Sequence, residues 1–164
     1  MRRFEVLAAA IERYSRGRRV LEIGPGDGEL ARILIDAGYD YSGVDRKPRF
    51  EHPSIKVVDF MEFETDARFD CVVTQYVLHH VPDIQAFVNR MLRFTASDGI
   101  VAVGEYGWER SEDPAFRSER SDLHTSGMMI EALDGMLERL FYEDVPYKDG
   151  DDSIGFVWVG RRRA

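Results

Sequence analysis

Residues Val20 to Ala31 read Val-Leu-Glu-Ile-Gly-Pro-Gly-Asp-Gly-Glu-Leu-Ala, and their types and spacing suit a cradle for a nucleoside-like ligand. Gly24, Gly26 and Gly28 remove the Cβ from alternate positions of a loop, so the backbone can bend and a ligand can approach it closely. Val20, Leu21 and Ile23 form a short apolar strand before the loop. Leu30, Ala31, Ile33, Leu34 and Ala37 recur behind it at helical spacing. A strand, a glycine loop and a helix N-terminus make the cradle, although a plain tight turn would use the same glycines. Two details narrow the choice. Glu22 places a carboxylate at the end of the strand, which is costly in a sheet unless something there needs an acceptor. The glycines stand as G-x-G-x-G, and bulky Glu29 occupies the place where a dinucleotide fingerprint wants its third glycine.

Those residues must be positioned by the elements around them. Phe4 to Ser15 reads as a helix with Phe4, Leu7, Ala8 and Ile11 on one face. The first strand is Arg18–Ile23, followed by a helix over Gly28–Ala37 and a stop at Gly38. The second strand is Asp40–Val44. Pro48 and Pro53 leave the next helix vestigial or missing. Strands follow at Ile55–Val58, Phe69–Thr74 and Ile100–Val103, with a helix from Pro82-Asp83 to Phe94. A helix capped by Thr125 or Ser126 runs to Arg139, and Leu140–Tyr147 and Ile154–Arg161 form a terminal hairpin around Asp149-Gly150. Alternating elements with buried strands imply an α/β fold, a parallel sheet with helices on both faces. Residues 1–164 read as one domain, without repeats or a linker.

Ligands of such sheets bind beyond the carboxyl ends of the strands, so the other strand ends matter. Asp45 closes the second strand, where a carboxylate can accept both hydroxyls of a ribose; a solvated turn is the competing reading. Asp59 closes the third, and with Phe60 beside it would suit an adenine amino group and its ring face. Gln75 and Tyr76 follow the fourth. His79 and His80 come next, one a potential general base and one a structural cap or backbone partner. Glu105 and Tyr106 end the fifth strand. Segment Gly107–Thr125, with Trp108, Phe116 and His124, is the only insertion long enough for a lid. Glu105, Tyr106 and His124 are therefore candidates on the acceptor side, against the alternative of a solvated loop anchored by Trp108 and Phe116.

An acidic residue, one apolar residue and G-x-G-x-G resemble motif I of the class I S-adenosylmethionine-dependent methyltransferases. The segment Thr-Gln-Tyr-Val-Leu-His-His-Val-Pro-Asp is similar to that family's small-molecule and quinone-type members. The resemblance covers nearly the whole chain. It implies a Rossmann-like sheet of seven strands in the order 3-2-1-4-5-7-6, mostly parallel with the last strand antiparallel. It also implies S-adenosylmethionine as cofactor and S-adenosylhomocysteine as product. The methionine end would be held by Glu22 and the loop of Gly24, Pro25, Gly26 and Gly28. The rest would be held by Asp45 with Arg46, by Asp59 with Phe60, and by Gln75 and Tyr76. The physics agrees, since a cationic ammonium wants carbonyls and a carboxylate, whereas a pyrophosphate wants bare N–H groups. Within the family, the chain lacks the Asn/Asp-Pro-Pro-aromatic motif of amino-group methylation and the Pro-Cys nucleophile of pyrimidine C5 chemistry. It also lacks the Asp-rich magnesium set of catechol-type enzymes, so no metal is expected.

Charge and composition bound the partners. The chain has 164 residues and a net charge of −8, a field that repels polyanions. Its basic clusters, Arg13, Arg16, Arg18 and Arg19 and then Arg161, Arg162 and Arg163, fall by topology at the sheet edge opposite the cofactor. Acidic Lys148–Ser153 falls on the active side. Nucleic acid is thus disfavoured as acceptor, and a neutral or cationic small molecule fits better, unless both groups are ordinary solvated charge. No apolar run approaches a membrane span, no signal peptide is evident, and the single Cys71 sits in an apolar strand, so a cytoplasmic location is expected. The oligomeric state stays open, a homodimer included. Two other functions compete: a non-catalytic or partner-dependent S-adenosylmethionine-binding protein, and an NAD-dependent oxidoreductase, which Glu22 and Glu29 argue against.

Overall fold

The structure, a computed structural model, describes residues 3–146 and 154–164. Its elements run in the order α1 (Arg3–Tyr14), β1 (Arg19–Ile23), α2 (Glu29–Asp36), β2 (Asp40–Asp45), β3 (Ile55–Val57) and β4 (Phe69–Gln75). Then come α3 (Ile84–Phe94), β5 (Thr95–Gly107), α4 (Pro114–Ser118), α5 (Ser126–Met136), β6 (Glu138–Pro146) and β7 (Ile154–Arg161). Short 3-10 turns occupy Leu78–His80 and Trp108–Arg110.

All seven strands join one sheet in the order β3-β2-β1-β4-β5-β7-β6. Its first five strands are parallel, and β7 runs antiparallel to both β5 and β6. The period-two alternation of β1 and β4 divides the core between two faces. Val20 and Val73 pack with Leu7 and Ile11 of α1 and Leu30 and Leu34 of α2. Leu21 and Val72 pack with Phe87 and Met91 of α3 and Met129 and Leu133 of α5. Because both faces are covered, β4 is buried almost end to end and reads as an apolar run. Cys71 lies inside it, fully buried, with its thiol pushed well above its ordinary range by loss of hydration.

Residues 46–54 cross from β2 to β3 without a helix, as Pro48 and Pro53 predict. The place of the missing helix is left as a surface hollow lined by Pro48, Phe50, His52, Pro53, Ile55 and Val57. Two boundaries depart from the sequence reading for one reason. Strand β5 extends beyond Val103 to Gly107, and α5 stops at Met136, because β7 pairs with Ile100–Gly107 on one side and with Glu138–Pro146 on the other. The insertion after β5 also contains α4, whose start is capped by Asp113 accepting from the Ala115 N–H, with Pro114 in the first turn.

Register also settles where the charges lie. Arg161 faces Ile100, where the pairing of β5 with β7 begins, and Ile154 faces Gly107 at the end of β5. The arginines are therefore on the edge away from the glycine loop, where Arg18 pairs with Glu12 at 2.9 Å and Arg161 with Glu138 at 3.0 Å. Asp149, Gly150, Asp151 and Asp152 lie outside the described residues; their flanks, Pro146 and Ile154, meet at the carboxyl edge. No helix among the described residues is long and apolar enough to cross a membrane.

Candidate active site

The glycine loop turns sharply at the end of β1. Gly24 (φ 73°) and Gly28 (φ 76°) both adopt left-handed conformations. Any Cβ at Gly28 would also lie 2.2 Å from the Phe50 ring, so only glycine serves there. Gly24 N–H donates to the Val44 carbonyl at 2.8 Å, and Gly28 N–H to the carbonyl of buried Pro25 at 2.8 Å. These bonds seat the loop over β2 and leave α2 starting at Glu29. Asp45 joins the same unit: its Oδ2 accepts from Gly26 N–H at 3.2 Å and its Oδ1 from Lys47 N–H at 2.9 Å. Each oxygen keeps a second lone pair for another donor. Around Gly26 the backbone is open, since an added Cβ would meet nothing nearer than an Arg49 nitrogen at 3.6 Å.

Beneath the loop, Glu22 is wholly buried. Its carboxylate accepts from the Tyr41 hydroxyl at 2.6 Å and the Gln75 side-chain amide at 3.0 Å. Loss of hydration pushes it up to about 7, against the pull of those two hydrogen bonds. Glu22 and Gln75 thus brace the cradle from within the α1/α2 layer. Sequence reasoning missed Arg49 and Phe50, which close over the loop from the β2–β3 segment. Arg49 N–H donates to Gly26 O at 3.2 Å, and its guanidinium grips Asp27 at 2.6 Å. Arg49 and Phe50 sit in what reads as a plain proline-punctuated loop, and nothing local marks them as cradle walls.

Further along the edge, Asp59 accepts from Met61 N–H at 2.9 Å, and Arg46 approaches it at 3.7 Å. Phe60 departs from expectation. Its ring is 5 % exposed and packs on Phe87 and Phe94 in the α3 core, so its face is not presented to an adenine. The cause is the tight turn after Asp59, held by Arg90 donating to the carbonyls of Phe60 and Phe63.

Three acceptor-side candidates meet beyond β4 and β5. Glu105 is buried; one oxygen accepts from Leu78 N–H at 2.5 Å, the other lies 2.8 Å from His79 Nδ1. A carboxylate only accepts, so Nδ1 carries the proton and Nε2 is the basic nitrogen. The Tyr106 ring stands edge-on to His79 with centroids 4.7 Å apart, and His80 touches the same imidazole. Tyr76 belongs here by its side chain: the ring contacts Phe4 and Tyr106. His124 does not join the group. Its Nε2 lies 2.8 Å from the Val81 carbonyl, its N–H donates to His79 O, and its own carbonyl accepts from Trp108 Nε1 at 2.9 Å. His124 is a clamp between the insertion and the turn after β4, because its Nε2, its N–H and its carbonyl are all engaged there. Trp108, 8 % exposed, is the anchor of the insertion rather than its moving part. Among the described residues, no three His, Cys, Asp or Glu side chains converge as a metal site.

Known proteins share this fold. A family model described as a methyltransferase domain matches residues 1–140. An uncharacterized methyltransferase of Mycobacterium sp. (strain KMS) is 32 % identical over 110 residues, which is 61 % of this chain and 43 % of that one. The chain spans less than half the length of the curated relatives it matches. Among solved structures, the N-methyltransferase NodS of Bradyrhizobium japonicum, in complex with S-adenosylhomocysteine, superimposes with a TM-score of 0.73 at 20 % identity, covering 98 % of this chain and 87 % of its own. The 1,6-didemethyltoxoflavin-N1-methyltransferase of Burkholderia thailandensis gives 0.75 at 19 % identity, covering 99 % and 79 %. Strand order, the antiparallel β7, the glycine loop and the matching family model make one statement: this chain belongs to the methyltransferase-domain family, with a Rossmann-like class I fold.

Proposed function

We propose that the chain binds S-adenosylmethionine and transfers its methyl group to a small-molecule acceptor, without a metal and with His79 as general base. The observation that carries the reading is the bond from Gly26 N–H to Asp45, which ties the open loop and a hydroxyl-accepting carboxylate into one unit. The group fits the residues present: left-handed glycines leave the backbone bare, and Asp45 retains lone pairs for two ribose hydroxyls. Asp59, with Arg46 beside it at 3.7 Å, is the acceptor assigned in this reading to the adenine amino group. Glu22 places potential negative charge beneath the methionine end. When bound, the cofactor supplies an electrophilic sulfonium methyl.

The chain's own contribution is positioning, exclusion of water and one proton acceptor. Glu105 fixes the His79 tautomer and would stabilise the imidazolium once Nε2 has accepted a proton. Phe116 of the insertion meets the Tyr106 ring at 6.3 Å between centroids, and Tyr106 in turn meets His79. Nucleic acid is disfavoured as acceptor because the arginine clusters lie at the opposite edge and several are paired with carboxylates.

Thermal denaturation with added ligands tests the reading first. S-adenosylmethionine and S-adenosylhomocysteine should raise the melting temperature, by about 2.7 kcal/mol of stabilisation at a hundredfold excess over Kd, and NAD or NADP should leave it unchanged. Equal stabilisation by NAD overturns it. Turnover on some acceptor is the second test, which a non-catalytic cofactor-binding protein would fail.

A further inference from the structure

We propose that cofactor binding is coupled to a proton: the Glu22 carboxyl holds it in the free protein and loses it to solvent when a ligand bearing the methionine ammonium enters the cradle. This deepens the reading of the cradle as an S-adenosylmethionine site and rests on it.

Glu22 is a buried acid without a countercharge. β1 turns it into the layer of α1 and α2, and every residue that those two helices bury is apolar. Its two hydrogen bonds come from the neighbouring strands, from the Tyr41 hydroxyl of β2 at 2.6 Å and the Gln75 amide of β4 at 3.0 Å, and both donors are neutral. The other titratable groups nearby do not supply the missing charge. Asp45, at the end of β2, contributes negative charge, and Cys71 of β4 is a protonated thiol. His52 meets the Tyr41 ring, edge-on at 5.9 Å, and not the carboxyl. Among the described residues no lysine, arginine or histidine pairs with Glu22.

Such a site favours the neutral acid, because a carboxylate out of water and without a cation is costly. Burial accordingly pushes Glu22 up to about 7. Each carboxyl oxygen accepts a single bond, so a lone pair remains on which a proton can sit without displacing either donor. A cation brought to the cradle reverses the balance, since an opposite charge nearby favours the carboxylate.

The step balances. The carboxyl O–H bond breaks, its electron pair stays on oxygen, and the proton passes to water or buffer. The ligand's ammonium then supplies the positive charge that the protein's own residues do not. Affinity for such a ligand should rise with pH up to about 7 and level off above it, because below that value binding must first remove the proton.

Titration calorimetry in buffers of different ionisation enthalpy counts the proton. S-adenosylhomocysteine bound at pH 6 should release about one proton, and its affinity should rise about tenfold between pH 6 and 7.5. 5′-Methylthioadenosine, which shares the nucleoside and lacks the ammonium, should bind with no release. Both ligands are tested on the parent protein, so the result does not depend on a variant folding. In Glu22→Gln, S-adenosylhomocysteine should bind without release and with the same affinity at both pH values. His52→Gln should behave as the parent does, which separates the acid from the imidazole. The inference is overturned if S-adenosylhomocysteine binds the parent at pH 6 without releasing a proton, or if 5′-methylthioadenosine releases as much. Release that persists in Glu22→Gln, or that disappears in His52→Gln, also overturns it. Each of these leaves the cofactor reading standing, because the ligand has bound. Failure of S-adenosylhomocysteine to bind at all removes both.

Discussion

The two halves of the candidate site are built differently. The cradle is one contiguous segment, Gly24 to Gly28, whose shape comes from backbone dihedrals, main-chain bonds to Val44 and Pro25, and one bond from Gly26 N–H to the Asp45 carboxylate. The acceptor side draws on α1, the turn after β4, the end of β5 and the insertion, and it is held by side-chain contacts among rings and a single buried carboxylate. A backbone-built cradle tolerates many neighbouring side chains and binds one ligand. A side-chain-built wall changes its ligand with each substitution. The difference predicts that mutations on one side should leave the other side's measurement untouched.

The largest effect should come from His79→Ala, which removes the base: turnover should fall by about 10²–10⁴-fold while S-adenosylhomocysteine affinity by calorimetry stays within about twofold. A matching loss of cofactor affinity would erase the division. Glu22→Gln probes the bracing beneath the cradle through pH. The folded pKa of about 7 lies above the ordinary 4.5, so the parent's stability contribution is complete below pH 4.5 and is lost as pH rises towards 7. The variant should therefore match the parent near pH 4.5 and exceed it at pH 8, by about 3 kcal/mol at most, in urea denaturation. A difference independent of pH would mean that Glu22 does not titrate in this range. Asp45→Ala should weaken S-adenosylhomocysteine by about 1.5–3 kcal/mol, with a smaller loss of stability in the free protein from its two bonds to Gly26 and Lys47 N–H. Unchanged affinity would place the ribose elsewhere. The smallest effect is expected for Asp27→Asn, which cuts the exposed grip of Arg49: less than about threefold on cofactor affinity at low salt, vanishing in about 1 M salt.

What could be read from the sequence follows the same division. The glycine loop and the positions of Asp45, Glu105 and His79 rest on local periodicity and strand ends, and the parallel sheet carries them to one edge; the strand order is implied by the family resemblance alone. Phe60 was not legible, because the turn that swings it inward is tied by Arg90, thirty positions away. His124 reads as an acceptor-side candidate until its partners, the Val81 carbonyl and Trp108 indole, are seen together. The extent of β5 depends on pairing with β7 across the sheet, which no window of neighbouring residues contains. Helix α4 was legible in principle from Asp113-Pro114, a capping residue followed by a first-turn proline.

Cys71, sealed within β4, has a practical corollary for watching the insertion move. The chain's only thiol is buried and held protonated, so maleimide reagents should find no native target in the folded protein. A single cysteine introduced at exposed Glu119, just past α4, would then carry a fluorophore without background, and its emission would report whether the insertion closes as each ligand is added.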